Sequence, residues 1–90
     1  MGAEKTYSPN YKEMTNEKTF AKAVGRKLRA MRKELGMPMA KYSMQVFGYP
    51  YAQRLSQYEL GQIYPPLKAL KNCCDFHNMT LEEFFRDLKY

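Results

Sequence analysis

Histidine occurs once in this chain of 90 residues, at His77, and cysteine twice, as the neighbours Cys73 and Cys74. Adjacent cysteines rarely bridge each other, because the required Cα geometry is strained. Two cysteines beside one histidine cannot complete a four-ligand zinc site. The simplest reading of Cys73 and Cys74 is two small buried hydrophobes. No serine stands beside a plausible base either, so a nucleophile–base pair is hard to assemble and no catalytic residue, metal or cofactor is expected. No apolar run approaches the ~18 residues of a membrane span. The N-terminus has no apolar signal region, which points to the cytoplasm and excludes a membrane partner. The opening Met-Gly-Ala-Glu-Lys-Thr fits the short myristoylation pattern, although a plain flexible start explains it as well.

What the chain does have is positive charge and enough apolar material for one small domain. Fifteen Lys and Arg stand against nine Asp and Glu, a net charge of +6, and 44% of the residues are apolar. Such a balance suits a polyanionic partner, nucleic acid before membrane. The first 15 residues are polar and aperiodic, with Tyr7, Pro9 and Tyr11 scattered among them. They read as a flexible N-terminal arm, 1–15, ahead of a folded unit at 16–90.

The folded unit reads as all-α. Thr15 or Asn16 can cap a first helix. In it Phe20, Val24, Leu28, Met31 and Leu35 form one apolar stripe, with Lys22, Arg26, Lys27, Arg29 and Lys33 opposite. Gly36 ends that helix. A short second helix spans roughly 38–47, with Tyr42 and Val46 facing inward. Gly48 and Pro50 punctuate a turn. A third helix is expected over about 50–60, with Tyr51, Leu55 and Tyr58 on one side and Gln53, Gln57 and Leu60 on the other. Gly61 closes it. The fourth begins near Pro66, its inner face Leu67, Leu70, Cys73, Cys74 and His77, and Asn78 takes a left-handed stop. Thr80 and Glu83 have capping-box spacing before a fifth helix carrying Leu81, Phe84, Phe85 and Leu88.

A short helix, a glycine-bearing turn and a second short helix can lay the second helix into the major groove of DNA. Gln pairs bidentately with adenine and Arg with guanine, so Gln53, Arg54 and Gln57 have the right chemistry at the right spacing. The same residues could instead simply face water.

Three segments carry a family resemblance. "VGRKLRAMRKELGM" (24–37) resembles a first helix that opens Ile-Gly and closes Gly-Leu. "LSQYELG" (55–61) resembles Ile-Ser-x-Ile-Glu-x-Gly, and "PPLKALKNCCDFHNMTLEEFF" (65–85) follows a Pro-Ser-Leu-x-x-Leu … Ser-Leu-x-Glu-Leu-Phe pattern without a gap. The chain from Val24 to Phe85 thus resembles the phage lambda repressor and Cro type of helix-turn-helix domain, the xenobiotic-response-element (XRE) family. The resemblance implies a five-helix, lambda-repressor-like fold that binds specific double-stranded DNA as a homodimer and regulates transcription, as a repressor, in the cytoplasm at the nucleoid. It implies a structural ion pair between Arg32 and Glu59. It places Ala52, Gln53 and Gln57 at base-contacting positions, with Arg54 beside them to reach bases or phosphate. Arg26 is expected to contact phosphate.

Two departures from the family pattern matter. FGYPY (47–51) is two residues longer than the usual turn, so either the turn is widened or the third helix starts early on Pro50. Pro38-Met39 replaces a capping Ser-Gln that grips a phosphate; the contact is lost, or Lys41 supplies it. Tyr49 and Tyr51 could donate to phosphates or pack over the turn. An alternative reading follows: a protein-interaction module or an antitoxin on a helix-turn-helix fold, with a toxin as partner and weak or no DNA binding.

Overall fold

The computed structural model describes residues 11–88, with side chains described from Thr19 onward. The chain is all-helical: α1 (Tyr11–Glu34), α2 (Met39–Phe47), α3 (Ala52–Glu59), α4 (Leu67–Phe76) and α5 (Leu81–Arg86), with no strand among the described residues. α1 begins at Tyr11, so no cap forms at Thr15 or Asn16, and the part of the expected arm at 11–15 is helical. Residues 1–10 of that arm lie outside the described residues. The helical register set by the stripe simply continues backward, since nothing between Tyr11 and Thr19 is a glycine or proline.

Three helices stop in the same way. After α1, the Gly36 N–H donates to the Lys33 carbonyl (2.9 Å) and the Met37 N–H to the Arg32 carbonyl (3.5 Å). After α3, Gly61 donates to Tyr58 (3.1 Å) and Gln62 to Gln57 (2.9 Å), and after α4 Asn78 donates to Asp75 (3.1 Å) and Met79 to Cys74 (2.9 Å). This paired 5→2 and 6→1 pattern is the Schellman motif, which satisfies carbonyls the helix itself leaves free. Asn78 adopts φ 57°, the left-handed stop expected of it. Thr80 caps α5, accepting from the Glu83 N–H at 3.0 Å, while the Thr80 N–H donates to the Glu83 carboxylate at 2.8 Å. Those contacts hold the Glu83 carboxyl below its usual range, the backbone donor first.

All five helices contribute to one core: Val24, Leu28 and Met31 from α1, Tyr42 and Val46 from α2, Leu55 and Tyr58 from α3, Leu70, Cys73 and Cys74 from α4, and Phe84 from α5. Leu35, Leu67 and Tyr51, all expected inward, are exposed instead. Leu35 is 49% exposed, because the α1 stripe ends where the helix turns at Gly36. Leu67 is 70% exposed, standing at the first position of α4, where the chain arrives from solvent. Tyr51 is 69% exposed, because α3 starts at Ala52 and leaves it as the capping residue ahead of the helix. Phe85 is exposed on α5 while Phe84 is fully buried.

The α1–α3 crossing is close. A Cβ on Gly25 would sit on the carbonyl oxygens of Tyr58 and Glu59, and a Cβ on Gly61 would lie 2.7 Å from the Lys22 Cα. On the opposite side of the core the Tyr42 hydroxyl meets His77 Nε2 at 2.8 Å. Burial pushes His77 below its usual value of 6.5, opposed by the Glu34 charge, so the ring is neutral at pH 7 and its Nε2 can accept from Tyr42.

Two predictions follow from these contacts. Gly48 (φ 84°) has open space around it, so Gly48→Ala should cost only the left-handed backbone term, about 1–2 kcal/mol. Gly61→Ala adds a backbone collision at a similar φ of 74° and should cost clearly more; equal costs in urea unfolding would show that α1 and α3 are not in close contact. For His77 the folded value lies below the unfolded one, so the unfolded chain takes up the proton first. Stability should therefore be full above about pH 6.5 and fall as pH drops through it, until the folded ring also titrates. Urea midpoints between about pH 7.5 and 5.5 should show this slope in the wild type and a reduced one in His77→Gln.

Candidate nucleic-acid interface

α3 is eight residues long and amphipathic, and its inner face is set by Leu55, Tyr58 and Glu59, all buried. At 100° per residue this leaves Gln53, Gln57 and Leu60 pointing outward, with Arg54 on one flank and Ser56 on the other. Gln53 and Arg54 are exposed, and Ala52 and Gln57 are half-buried.

The inner face is fixed by an ion pair. Arg32 Nε donates to one carboxylate oxygen of Glu59 at 2.7 Å and Nη2 to the other at 3.0 Å, a bidentate fork. The remaining nitrogen, Nη1, donates to the Met37 carbonyl at 2.9 Å. The two side chains are only 9% and 2% exposed. The hydrogen bond to Glu59 raises the Arg32 guanidinium above its usual value, against the cost of burial. One side chain thus ties the end of α1, the α1–α2 loop and the end of α3 together.

Beside α3 lies an open hollow of about 730 Å³. It is lined by Tyr49, Pro50, Tyr51 and Ala52 together with Gln53, Arg54 and Gln57. The residues singled out from the sequence as base-contacting, Ala52, Gln53, Arg54 and Gln57, therefore share one surface with Tyr49 and Tyr51. α3 begins at Ala52, so the early start on Pro50 that was one expectation for FGYPY does not occur. The aromatic rings of FGYPY form a ladder: Phe47 stacks on Tyr49 (centroids 5.7 Å, 22°), and Tyr49 meets Tyr51 in a tilted contact (5.7 Å, 34°). Phe47 meets buried Tyr58 edge-on at 6.2 Å. Burial, then neighbouring Tyr58, raises the Tyr49 hydroxyl above its usual value, so it stays protonated.

Arg26 lies elsewhere. With Lys22 and Arg29 it lines a second hollow, about 470 Å³, on the Ser56–Leu60 flank of α3, together with Met39. Spacings of four and three residues put these three cations on one face of α1. Lys41 is exposed and lines neither hollow. Lys27, also on α1, instead sits 5.6 Å above the Phe84 ring. The sequence reading missed the part played by Lys22, Met39 and Ser56. The i, i+4, i+7 cations were visible in it, but their placement against α3 depends on the close crossing at Gly25.

Cys73 and Cys74 are buried free thiols. Burial pushes Cys73 up to about 12 and moves Cys74 in the same direction, so neither is a thiolate at neutral pH. Among the described residues no group of three or more His, Cys, Asp or Glu side chains could hold a metal ion, and no helix is long and apolar enough to cross a membrane.

No family profile matches the sequence, and neither a curated protein nor a solved structure shows significant similarity to it.

Because Arg32 and Glu59 are buried together, removing one leaves the other charge stranded. Arg32→Ala should cost about 3–5 kcal/mol in urea unfolding, and Arg32→Met/Glu59→Leu should recover most of that loss. A small penalty for the single variant would mean that water reaches Glu59 and that the pair does not fix α3.

Proposed function

We propose that this chain is a sequence-specific double-stranded DNA-binding protein with a lambda-repressor-like fold, in which α2, the turn after it and α3 act as a helix-turn-helix and α3 enters the major groove. It regulates transcription, as a repressor. The observation that carries the reading is the surface of α3: Ala52, Gln53, Arg54 and Gln57 line one open hollow, while the other side of the helix is locked into the core by Leu55, Tyr58 and Glu59. The Gln amides match adenine N6 and N7, and the Arg fork matches guanine O6 and N7. The basic row Lys22, Arg26 and Arg29 on one flank and the Tyr49 and Tyr51 hydroxyls on the other suit the two phosphate backbones that border a groove. Such contacts position the helix without reading sequence.

A second surface favours a protein partner. Tyr64 and Phe85 are exposed, and Phe20 lies against both with ring centroids 6.1 Å away in each case. This apolar area is on other elements than the α3 hollow, so it fits a homodimer that binds DNA as well as the alternative of an interaction module or antitoxin that binds a toxin.

Selection from a random duplex library at two salt concentrations separates the readings. Wild type should enrich a defined site. Gln53→Ala/Gln57→Ala should keep salt-sensitive binding but lose the site, each lost bidentate contact being worth about 1–3 kcal/mol of discrimination. Arg26→Ala should weaken binding to every sequence alike and lower the salt slope by about one. If wild type enriches nothing and binds no better than any basic protein, DNA reading fails and the apolar surface becomes the site to pursue.

A further inference from the structure

Two kinds of side chain line the hollow beside α3, and DNA binding through amide and guanidinium groups accounts for only one of them. Tyr51 is the other. A tyrosine that remains 69% exposed gains little from burial, yet its ring is not loose. It rests against Tyr49, which stacks on Phe47, which meets Tyr58 in the core. A large apolar face is thereby held out into solvent by a column of rings anchored below it. It stands one residue before α3 and two before Gln53, on the same hollow as Arg54 and Gln57.

The edges of base pairs in the major groove are mostly polar, and the one bulky apolar group on them is a methyl. Thymine carries a methyl group at C5, and 5-methylcytosine carries the same group at the same place. In either pair the methyl lies beside a purine edge that Gln or Arg reads: adenine for thymine, guanine for 5-methylcytosine. A hollow lined by Gln53, Arg54 and Gln57 and also by Tyr51, Pro50 and Ala52 offers both kinds of contact. We propose that this hollow seats the C5 methyl group of a pyrimidine in duplex DNA, with the ring of Tyr51 as the surface that detects it and Gln53 or Arg54 reading the paired purine. The inference rests on the DNA-binding reading above and adds a specificity-determining residue from the turn before α3.

The test uses the full chain and the duplex that wild type selects. Each dT is replaced in turn by dU, which removes only the methyl group, and each dC in turn by 5-methyl-dC, which adds one. One position should respond, by about fourfold, the value of burying a single methyl group. A loss with dU identifies thymine as the source, and a gain with 5-methyl-dC identifies 5-methylcytosine. The response should vanish in Tyr51→Ala and persist in Tyr51→Phe, which keeps the ring. Tyr51 lies outside the core, and helical content by circular dichroism checks that both variants are folded. If wild type selects a site but no position responds to the methyl group, or if Tyr51→Ala responds as wild type does, the inference is overturned while DNA recognition stands. If wild type selects no site, both are overturned.

Discussion

Arg32 and Glu59 are both removed from water, and neither charge is tolerable there without the other. Their pairing therefore does more than add an attraction between α1 and α3. It makes one relative placement of the two helices far better than its neighbours, since a shift of either helix would strand a buried ion. The third donor of Arg32 holds the Met37 carbonyl, so the loop leading into α2 is bound to the same point. α3 is too short to be a stable helix by itself. Its direction is imposed by that fork, by Leu55 and Tyr58 in the core, and by the glycine contacts at Gly25 and Gly61.

Close approach and charge pairing depend on each other. With any side chain at residue 25, α1 would be pushed off the carbonyls of Tyr58 and Glu59, and the fork geometry at Arg32, two turns further along the same helix, would be lost with it. The consequence for the surface is that Lys22, Arg26 and Arg29 stand against the Ser56–Leu60 flank of α3. The same crossing thus holds the helix and sets its electrostatic border. Lys27 cannot join that border, because its position on α1 turns it toward Phe84.

Features governed by neighbouring residues were legible in the sequence. The Thr80–Glu83 box, the stops at Gly36, Gly61 and Asn78, and the inward Val24, Leu28, Leu55 and Phe84 all follow from local chemistry or periodicity. The Arg32–Glu59 pair, 27 residues apart, was not readable from periodicity; only the family resemblance suggested it. Where tertiary context decided, periodicity misled. Leu35, Leu67 and Tyr51 have the right spacing for burial, but each lies at a helix end, where the chain is leaving or joining the packed body. The start of α1 was missed for a related reason. A polar segment with no apolar stripe carries no signal of its own and becomes helical by continuing a helix nucleated elsewhere. For the α3 surface, the residue types were legible, but their convergence with Tyr49 and Tyr51 depended on where α3 begins.

The turn between α2 and α3 is ordered by its own ring contacts. A helix that began at Pro50 would have turned Tyr51 toward the core and moved Gln53 into its second turn. Pro50 does not prevent such an extension, since proline is tolerated in a first turn. What opposes it is the ring ladder. Gly48 ends α2 in a left-handed conformation and redirects the chain, so that Tyr49 can stack on Phe47 and Tyr51 can meet Tyr49. Ring contacts of this kind stabilise by about 0.5–1.5 kcal/mol each beyond area burial, enough in sum to outweigh two more residues of a marginal helix. The turn residues thus stay outside α3, which begins at Ala52 and presents Glu59 to the Arg32 fork.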